Sequence, residues 1–178
     1  LEDSIFVENI GSEFGGGMTN WTGASPTLSN CTFENNTAPL GGGIYNYHSA
    51  TCCSPTLTTC TFTYNTATDL GGGIYNINSK PTLSDCTFTN NTATNTGGGM
   101  YNDSWNSSVC PTLDNCTFEN NSASNGGGIG NNVNNPILTM CVFTNNTAIG
   151  SGGGMYNYNN SNPTLENCTF TGNTASNG

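Results

Sequence analysis

Residues 81–102 read PTLSDCTFTNNTATNTGGGMYN, and neither half of this stretch is unique in the chain. The first half returns from Pro26 (PTLSNCTFENNTA), Pro55 (PTLTTCTFTYNTA), Pro111 (PTLDNCTFENNSA), Pro136 (PILTMCVFTNNTA) and Pro163 (PTLENCTFTGNTA), at intervals of 29, 26, 30, 25 and 27 residues. The second half returns at Gly41 and Gly71 as GGGIYN, at Gly126 as GGGIGN and at Gly152 as GGGMYN, and a partial copy begins with LEDSIFVEN at Leu1 and GGGMTN at Gly15. A period of this length marks a repeat architecture, in which one unit cannot bury its own apolar face and stacks on its neighbours instead.

Comparing the copies shows which positions the fold holds constant. The Phe of the first block never varies (Phe6, Phe33, Phe62, Phe88, Phe118, Phe143, Phe170), nor does the Asn three residues later (Asn9, Asn36, Asn65, Asn91, Asn121, Asn146, Asn173). After the glycines comes an apolar residue (Met18, Ile44, Ile74, Met100, Ile129, Met155), and two residues on a second unvarying Asn (Asn20, Asn46, Asn76, Asn102, Asn131, Asn157). Between them stand Tyr45, Tyr75, Tyr101 and Tyr156, but also Thr19 and Gly130, so this position is expected to face outward.

Alternation of this kind is strand periodicity, with Cys and Phe of CTF on one side and Thr on the other. Each copy is expected to give two or three short strands joined by Gly-, Asn- and Ser-rich turns, with no helical period anywhere. Stacked in register about 4.8 Å apart, such coils put Leu on Leu, Phe on Phe and Ile on Met. The two Asn columns then form inward amide ladders that satisfy one another and the turn backbone. Residues 1–178 read as a single domain of about six coils of 25–30 residues without capping elements. The chain starts inside one block at Leu1 and stops where the next glycines are due, which predicts a segment of a longer repeat protein.

Charge narrows the partners. Eleven acids against one Lys and no Arg give a net charge of −10, which argues against nucleic acid and against anionic membranes. No apolar run approaches the roughly 20 residues of a membrane span, so no membrane insertion by this segment is expected. A mature chain that is secreted or displayed at the cell surface fits the composition.

Six cysteines also share a column: Cys31, Cys60, Cys86, Cys116, Cys141 and Cys168. In-register neighbours have parallel Cβ vectors and poor disulfide geometry, so the column is read as small buried packing residues and not as a metal site or a disulfide chain. Cys52, Cys53 and Cys110 lie in the two longest corner loops, where a disulfide from Cys52 or Cys53 to Cys110 would suit an oxidising compartment.

The paired motifs FxxN and GG-x-[ILM], here Phe33 to Asn36 with Gly41 to Ile44 and their equivalents in each copy, resemble the repeats of polymorphic outer membrane proteins. The resemblance spans essentially the whole chain, with a third glycine where Ala is commoner. It implies an all-β fold, the right-handed parallel β-helix of the pectate-lyase-like superfamily. It also implies a surface passenger acting as an adhesin or a structural stalk.

Three other functions would each need particular residues. Polysaccharide cleavage would need clustered acids and a positioned base, or two carboxylates about 5–10 Å apart. Lys80 and His48 stand singly in corner loops, and Glu34 and Glu119 share a column three coils apart, so no catalytic residue, cofactor or metal is expected. Ice binding would use an outward array of Thr32, Thr61, Thr63, Thr87, Thr89, Thr117, Thr144, Thr169 and Thr171, interrupted by Glu34 and Glu119, with Val142 and Thr144 close to the same Thr-x-Thr pattern. Sugar binding would use the tyrosine column with Trp21 and Trp105 in nearby loops. The leading expectation is a non-catalytic structural or adhesive solenoid, partnered by itself (end to end or laterally) or by glycans of a host or cell surface. Among many Asn-x-Ser/Thr sequons, those at Asn102, Asn106 and Asn159 are expected to be the glycan acceptors if the host glycosylates.

Overall fold

The structure, a computed structural model, describes residues 1–48, 53–105 and 110–177. One coil runs through four short strands, Thr27–Ser29, Thr32–Glu34, Thr37–Leu40 and Ile44–Tyr47. Each strand pairs in parallel with its counterpart in the next coil, building sheets of six, seven, six and six strands that run the length of the stack. We call them the Leu, Phe, Ala and Ile/Met sheets after their inward residues. The Ala sheet, with Thr37–Leu40, Thr66–Leu70 and Thr92–Ala93 among its strands, goes beyond the two or three strands that the repeat predicts. Its inward side chain is only an alanine and its strands shrink to two residues, too short for an alternation to show.

Register holds from coil to coil in the Leu, Phe and Ile/Met sheets, and shifts at a bulge in the Ala sheet after Ala38 and after Ala148. Phe33 pairs with Phe62, Phe62 with Phe88, and Phe88 with Phe118, while Leu57 pairs with Leu83 and Ile74 with Met100. The Phe rings stack almost parallel, with centroids 4.5 to 4.9 Å apart from Phe6 to Phe170. Leu, Cys, Phe and Ile/Met side chains merge into one continuous core. Burying a Leu or Phe completely stabilises by about 1.5–3 kcal/mol, and each coil adds the same set again.

Two corners of each coil turn on a single left-handed residue. One precedes the core Cys (Asn30, φ 52°; Asp85, φ 54°) and the other precedes the ladder Asn (Asn35, φ 53°; Asn90, φ 56°). Asn and Asp tolerate this conformation better than other side chains, which explains their recurrence there. The third corner is the glycine triplet. Gly71 sits at φ +68°, and a Cβ on Gly73 would lie 2.5 Å from the Gly99 carbonyl oxygen and 2.9 Å from Cδ1 of Phe88. The coils therefore close on one another only where the side chain is absent.

Inside the second corner the first Asn column is fully satisfied. Asn65 donates through Nδ2 to Asn91 Oδ1 (3.0 Å) and to the Phe33 carbonyl (2.9 Å). Its Oδ1 accepts from both the backbone N–H and the Nδ2 of Asn36. In the second column each Nδ2 donates to the next Oδ1, from Asn20 through Asn46, Asn76, Asn102 and Asn131 to Asn157, at 2.8 to 2.9 Å.

Candidate functional site

Three outward columns cover the Ile/Met sheet and its entry corner, and their order follows from the pairing. The corner column runs Phe14, Leu40, Leu70, Thr96, Asn125, through successive bridges. The middle column runs Thr19, Tyr45, Tyr75, Tyr101, Gly130, Tyr156, and the far column Trp21, Tyr47, Ile77, Asp103, Asn132, Tyr158. Over the first three coils this face is almost wholly apolar and aromatic. From Thr96 and Asp103 onward it becomes polar.

The tyrosine column is not the exposed surface that alternation predicts. The side chains do leave the inner core, yet Tyr45, Tyr75 and Tyr101 are only 4, 5 and 3 % exposed. Leu40 and Leu70 on one side and Tyr47, Ile77 and Tyr158 on the other pack against them, forming a second cluster outside the wall of the solenoid. Alternation reports the side of a strand, whereas burial depends on what the neighbouring corner lays over it. Burial, helped by Tyr47, pushes the Tyr45 hydroxyl up to about 12, and burial also raises Tyr75 and Tyr101. Tyr156 is half-buried in the last coil.

Exposed aromatic surface lies instead in the far column. Trp21 is 50 % exposed and packs against Tyr47 at 4.5 Å between centroids with the rings tilted by 31°, while Phe14 meets it edge-on at 5.5 Å. Trp105, 63 % exposed, approaches Tyr47 edge-on at 6.5 Å, and its backbone N–H donates to Asn78 Oδ1 at 2.7 Å. Where the middle column has Gly130, the Tyr101 and Tyr158 hydroxyls meet at 2.5 Å across the intervening coil. A Cβ on Gly130 would lie 2.3 Å from Thr96 Cγ2. Asp103 sits beside this gap, accepting from Asn132 Nδ2 (2.8 Å) and the Tyr75 hydroxyl (3.4 Å), and burial raises its carboxyl above the ordinary value. No sequence signal brought Trp105 to Tyr47, since it reaches back from a loop. The Trp21–Tyr47 neighbourhood was legible, because both stand one residue after the second ladder Asn.

The threonines lie on the outer face of the Phe sheet as two in-register columns. Thr32, Thr61, Thr87, Thr117, Val142 and Thr169 form one, and Glu34, Thr63, Thr89, Glu119, Thr144 and Thr171 the other. Thr61, Thr63, Thr87 and Thr89 make an uninterrupted block, and Glu34 and Glu119 bound it three strands apart, roughly 14 Å by the strand spacing. Asp114 pairs with Ser84, so Asp85 is one position out of line with it. Among the described residues no group of three or more His, Cys, Asp or Glu side chains is placed to hold a metal ion.

The column cysteines lie in the core as thiols, from Cys31 to Cys141 almost without exposure. Several donate to the Leu carbonyl of the preceding coil, as Cys86 does to Leu57 at 3.6 Å. Hydrogen bonds to the next thiol along the column, with burial, raise Cys60 and Cys116. Cys52 lies outside the described residues. Cys53 is buried with its thiol 3.0 Å from the Tyr47 carbonyl, and Cys110 is half-buried. His48, expected in a loop, is buried, and its Nδ1 has no hydrogen-bond partner among the described residues.

The sequon expectation needs correcting at Asn102. That side chain is wholly buried, receiving from Asn76 and donating to Asn131 within the ladder, so it cannot carry a glycan in this fold. Asn106 lies outside the described residues and Asn159 is exposed. The corner asparagines Asn30, Asn35, Asn115 and Asn145, which also begin sequons, are exposed as well.

Four parallel sheets wrapped around stacked apolar and amide columns define a parallel β-helix. The chain belongs to the right-handed β-helix family, whose model, described as a right-handed β-helix region, matches residues 2–110. Residues 140–157 match the Chlamydia polymorphic membrane protein repeat. No curated protein and no solved structure matches the chain.

Proposed function

We propose that this chain is an extracellular structural and adhesive solenoid, a cell-surface stalk or filament subunit, and that it is not a catalyst. The observation that carries this reading is the continuous parallel pairing of four sheets from coil to coil, in strict register in three of them and with local bulges in the Ala sheet. Their backbone hydrogen bonds run along the stack and are loaded together when it is pulled. Outer side chains recur at a fixed spacing of about 4.8 Å, suited to repetitive contact with another surface. The likeness of residues 140–157 to a membrane-protein repeat of Chlamydia supports display at a cell surface. The separation of Glu34 from Glu119 supports the absence of a carboxylate-pair mechanism.

Partners on this reading are further copies of the chain, packed end to end or laterally, or surface glycans. Beads coated with the purified chain test it under flow over cultured epithelial cells and over a layer of the chain itself. Retention on either layer, above that of albumin-coated beads, is the expected result. Beads that wash off both layers as albumin beads do would refute the adhesive reading.

A further inference from the structure

We propose that the exposed aromatic row Trp21–Tyr47–Trp105 on the outer face of the Ile/Met sheet is a binding site for neutral glycans. The inference rests on the adhesive reading above and names the chemistry of its ligand.

Placement comes first. Trp21 and Tyr47 are paired neighbours in the far column, and Trp105 reaches back to Tyr47 from the loop that follows Asp103. The three rings therefore follow one another along the stack, 4.5 and 6.5 Å apart, and two of them are at least half exposed. An aromatic of this size ordinarily buries most of its surface, and Trp21 and Trp105 instead stay at least half exposed beside the buried Tyr45 and Tyr75. The row is also held in place. Trp21 is braced by Tyr47 and the edge of Phe14, and the backbone of Trp105 is tied to Asn78. A site that is ordered before binding loses little side-chain freedom when a ligand arrives.

Charge selects among the ligands that stack on aromatic rings. Nucleotides, uronates and sulfated sugars carry negative charge, and the chain offers a single Lys against eleven acids. The same deficit disfavours an anionic lipid surface. Neutral sugars remain: the apolar C–H face of a pyranose meets the negative face of an aromatic ring, while its hydroxyls donate at the edge. An acceptor for them stands in the same column, where the Asp103 carboxylate takes hydrogen bonds from Asn132, Tyr75 and the Ser104 backbone and keeps one of its roughly four lone-pair sites.

Both tryptophans of the chain lie in this row, so intrinsic fluorescence reads the site directly. The purified chain is titrated with cellohexaose, chitohexaose, laminarihexaose and maltohexaose, and with polygalacturonate as the anionic probe. At least one neutral oligosaccharide is expected to shift the emission saturably, and polygalacturonate is expected to leave it unchanged. In calorimetry Trp21→Ala and Trp105→Ala should each weaken binding about tenfold or more, Trp21→Phe should recover most of it, and Thr61→Ala on the Phe sheet should bind as wild type. Circular dichroism identical to wild type would show that the variants fold.

The proposal is overturned if none of the four neutral oligosaccharides shifts the emission or if both tryptophan variants bind unchanged. It is equally overturned if the emission shifts with protein concentration alone and sedimentation shows self-association that Trp21→Ala abolishes, since the face would then be an interface between copies. Beads of the Trp21→Ala/Trp105→Ala double variant separate this inference from the broader reading. If they hold as firmly as wild-type beads, adhesion stands and the glycan site falls.

Discussion

The side-chain amide of Asn91 donates to Asn121 Oδ1 at 3.0 Å and, through its other hydrogen, to the Phe62 carbonyl at 2.9 Å, so a single side chain ties three successive coils. Its oxygen in turn accepts from the backbone and the side chain of Asn65. All of this happens in a fully buried corner, out of reach of solvent.

Removing that amide leaves donors and acceptors stranded in the core. Asn91→Ala is expected to destabilise the chain by about 2–4 kcal/mol, because each buried polar group left unsatisfied costs about 1–3 kcal/mol. Asn91→Asp should be worse at neutral pH despite its identical shape, since a carboxylate offers only acceptors to Phe62 and Asn121. Urea unfolding of both variants measures this. An Asp variant more stable than the Ala variant would contradict the hydrogen-bond directions assigned to the ladder.

Gly73 tests the closeness of the coils. Its missing side chain faces the Gly99 carbonyl and the ring of Phe88. Gly73→Ala is expected to cost about 1–3 kcal/mol in the same assay, as overpacked cores do. Repeats that carry Ala at the third glycine must then hold adjacent coils differently there. A neutral substitution would mean that the backbone spreads at this corner with little penalty.

How much of this was readable beforehand depends on what each residue reports about its own copies. Phe88, Asn91 and Asn102 recur without change, and that constancy alone announces the inner columns and their register. The left-handed corners were also visible in principle, since Asn30 and Asp85, or Asn35 and Asn90, recur where a strand must bend. The strand that begins at Thr92 was not, because two residues carry no period. Nor was the burial of Tyr75, which depends on Leu70 folding over it from the preceding corner. The Trp105 contact with Tyr47 crosses between coils through a loop of unrepeated sequence, and register says nothing about such loops.

Asp103 gives a pH-dependent prediction. Burial outweighs the hydrogen bonds from Asn132, the Ser104 backbone and Tyr75, so its carboxyl titrates above the ordinary 3.8. A folded-state value above the unfolded one means that the favourable contribution is complete below pH 3.8 and is lost as pH rises through the folded value. At pH 7 the ionised group therefore works against the fold. Asp103→Asn keeps an acceptor for Asn132 and can donate to the Tyr75 hydroxyl. Its melting temperature should exceed that of wild type at pH 7, with the difference vanishing near pH 3. A variant less stable than wild type at pH 7 but equal to it near pH 3 would show that the carboxylate is a net stabiliser of the Tyr75–Asn132 contacts.

The threonine face permits a gain-of-function test. Thr61, Thr63, Thr87 and Thr89 stand in two aligned columns, with methyl and hydroxyl groups repeating at the strand spacing of about 4.8 Å. An array that orders water over an ice plane must be flat and continuous, and a carboxylate holds its own hydration shell with a different geometry. Glu34 and Glu119 cut the second column on either side of the block. Replacing both, Glu34→Thr/Glu119→Thr, would extend that column unbroken from residue 34 to Thr171. Wild-type chain is expected to slow ice recrystallisation weakly, and the double variant to do so at a concentration roughly tenfold lower, equivalent to about 1.4 kcal/mol of added affinity for the ice surface. If both slow it equally, charge does not limit the face; if neither slows it, the threonines serve there only as residues that suit an exposed strand.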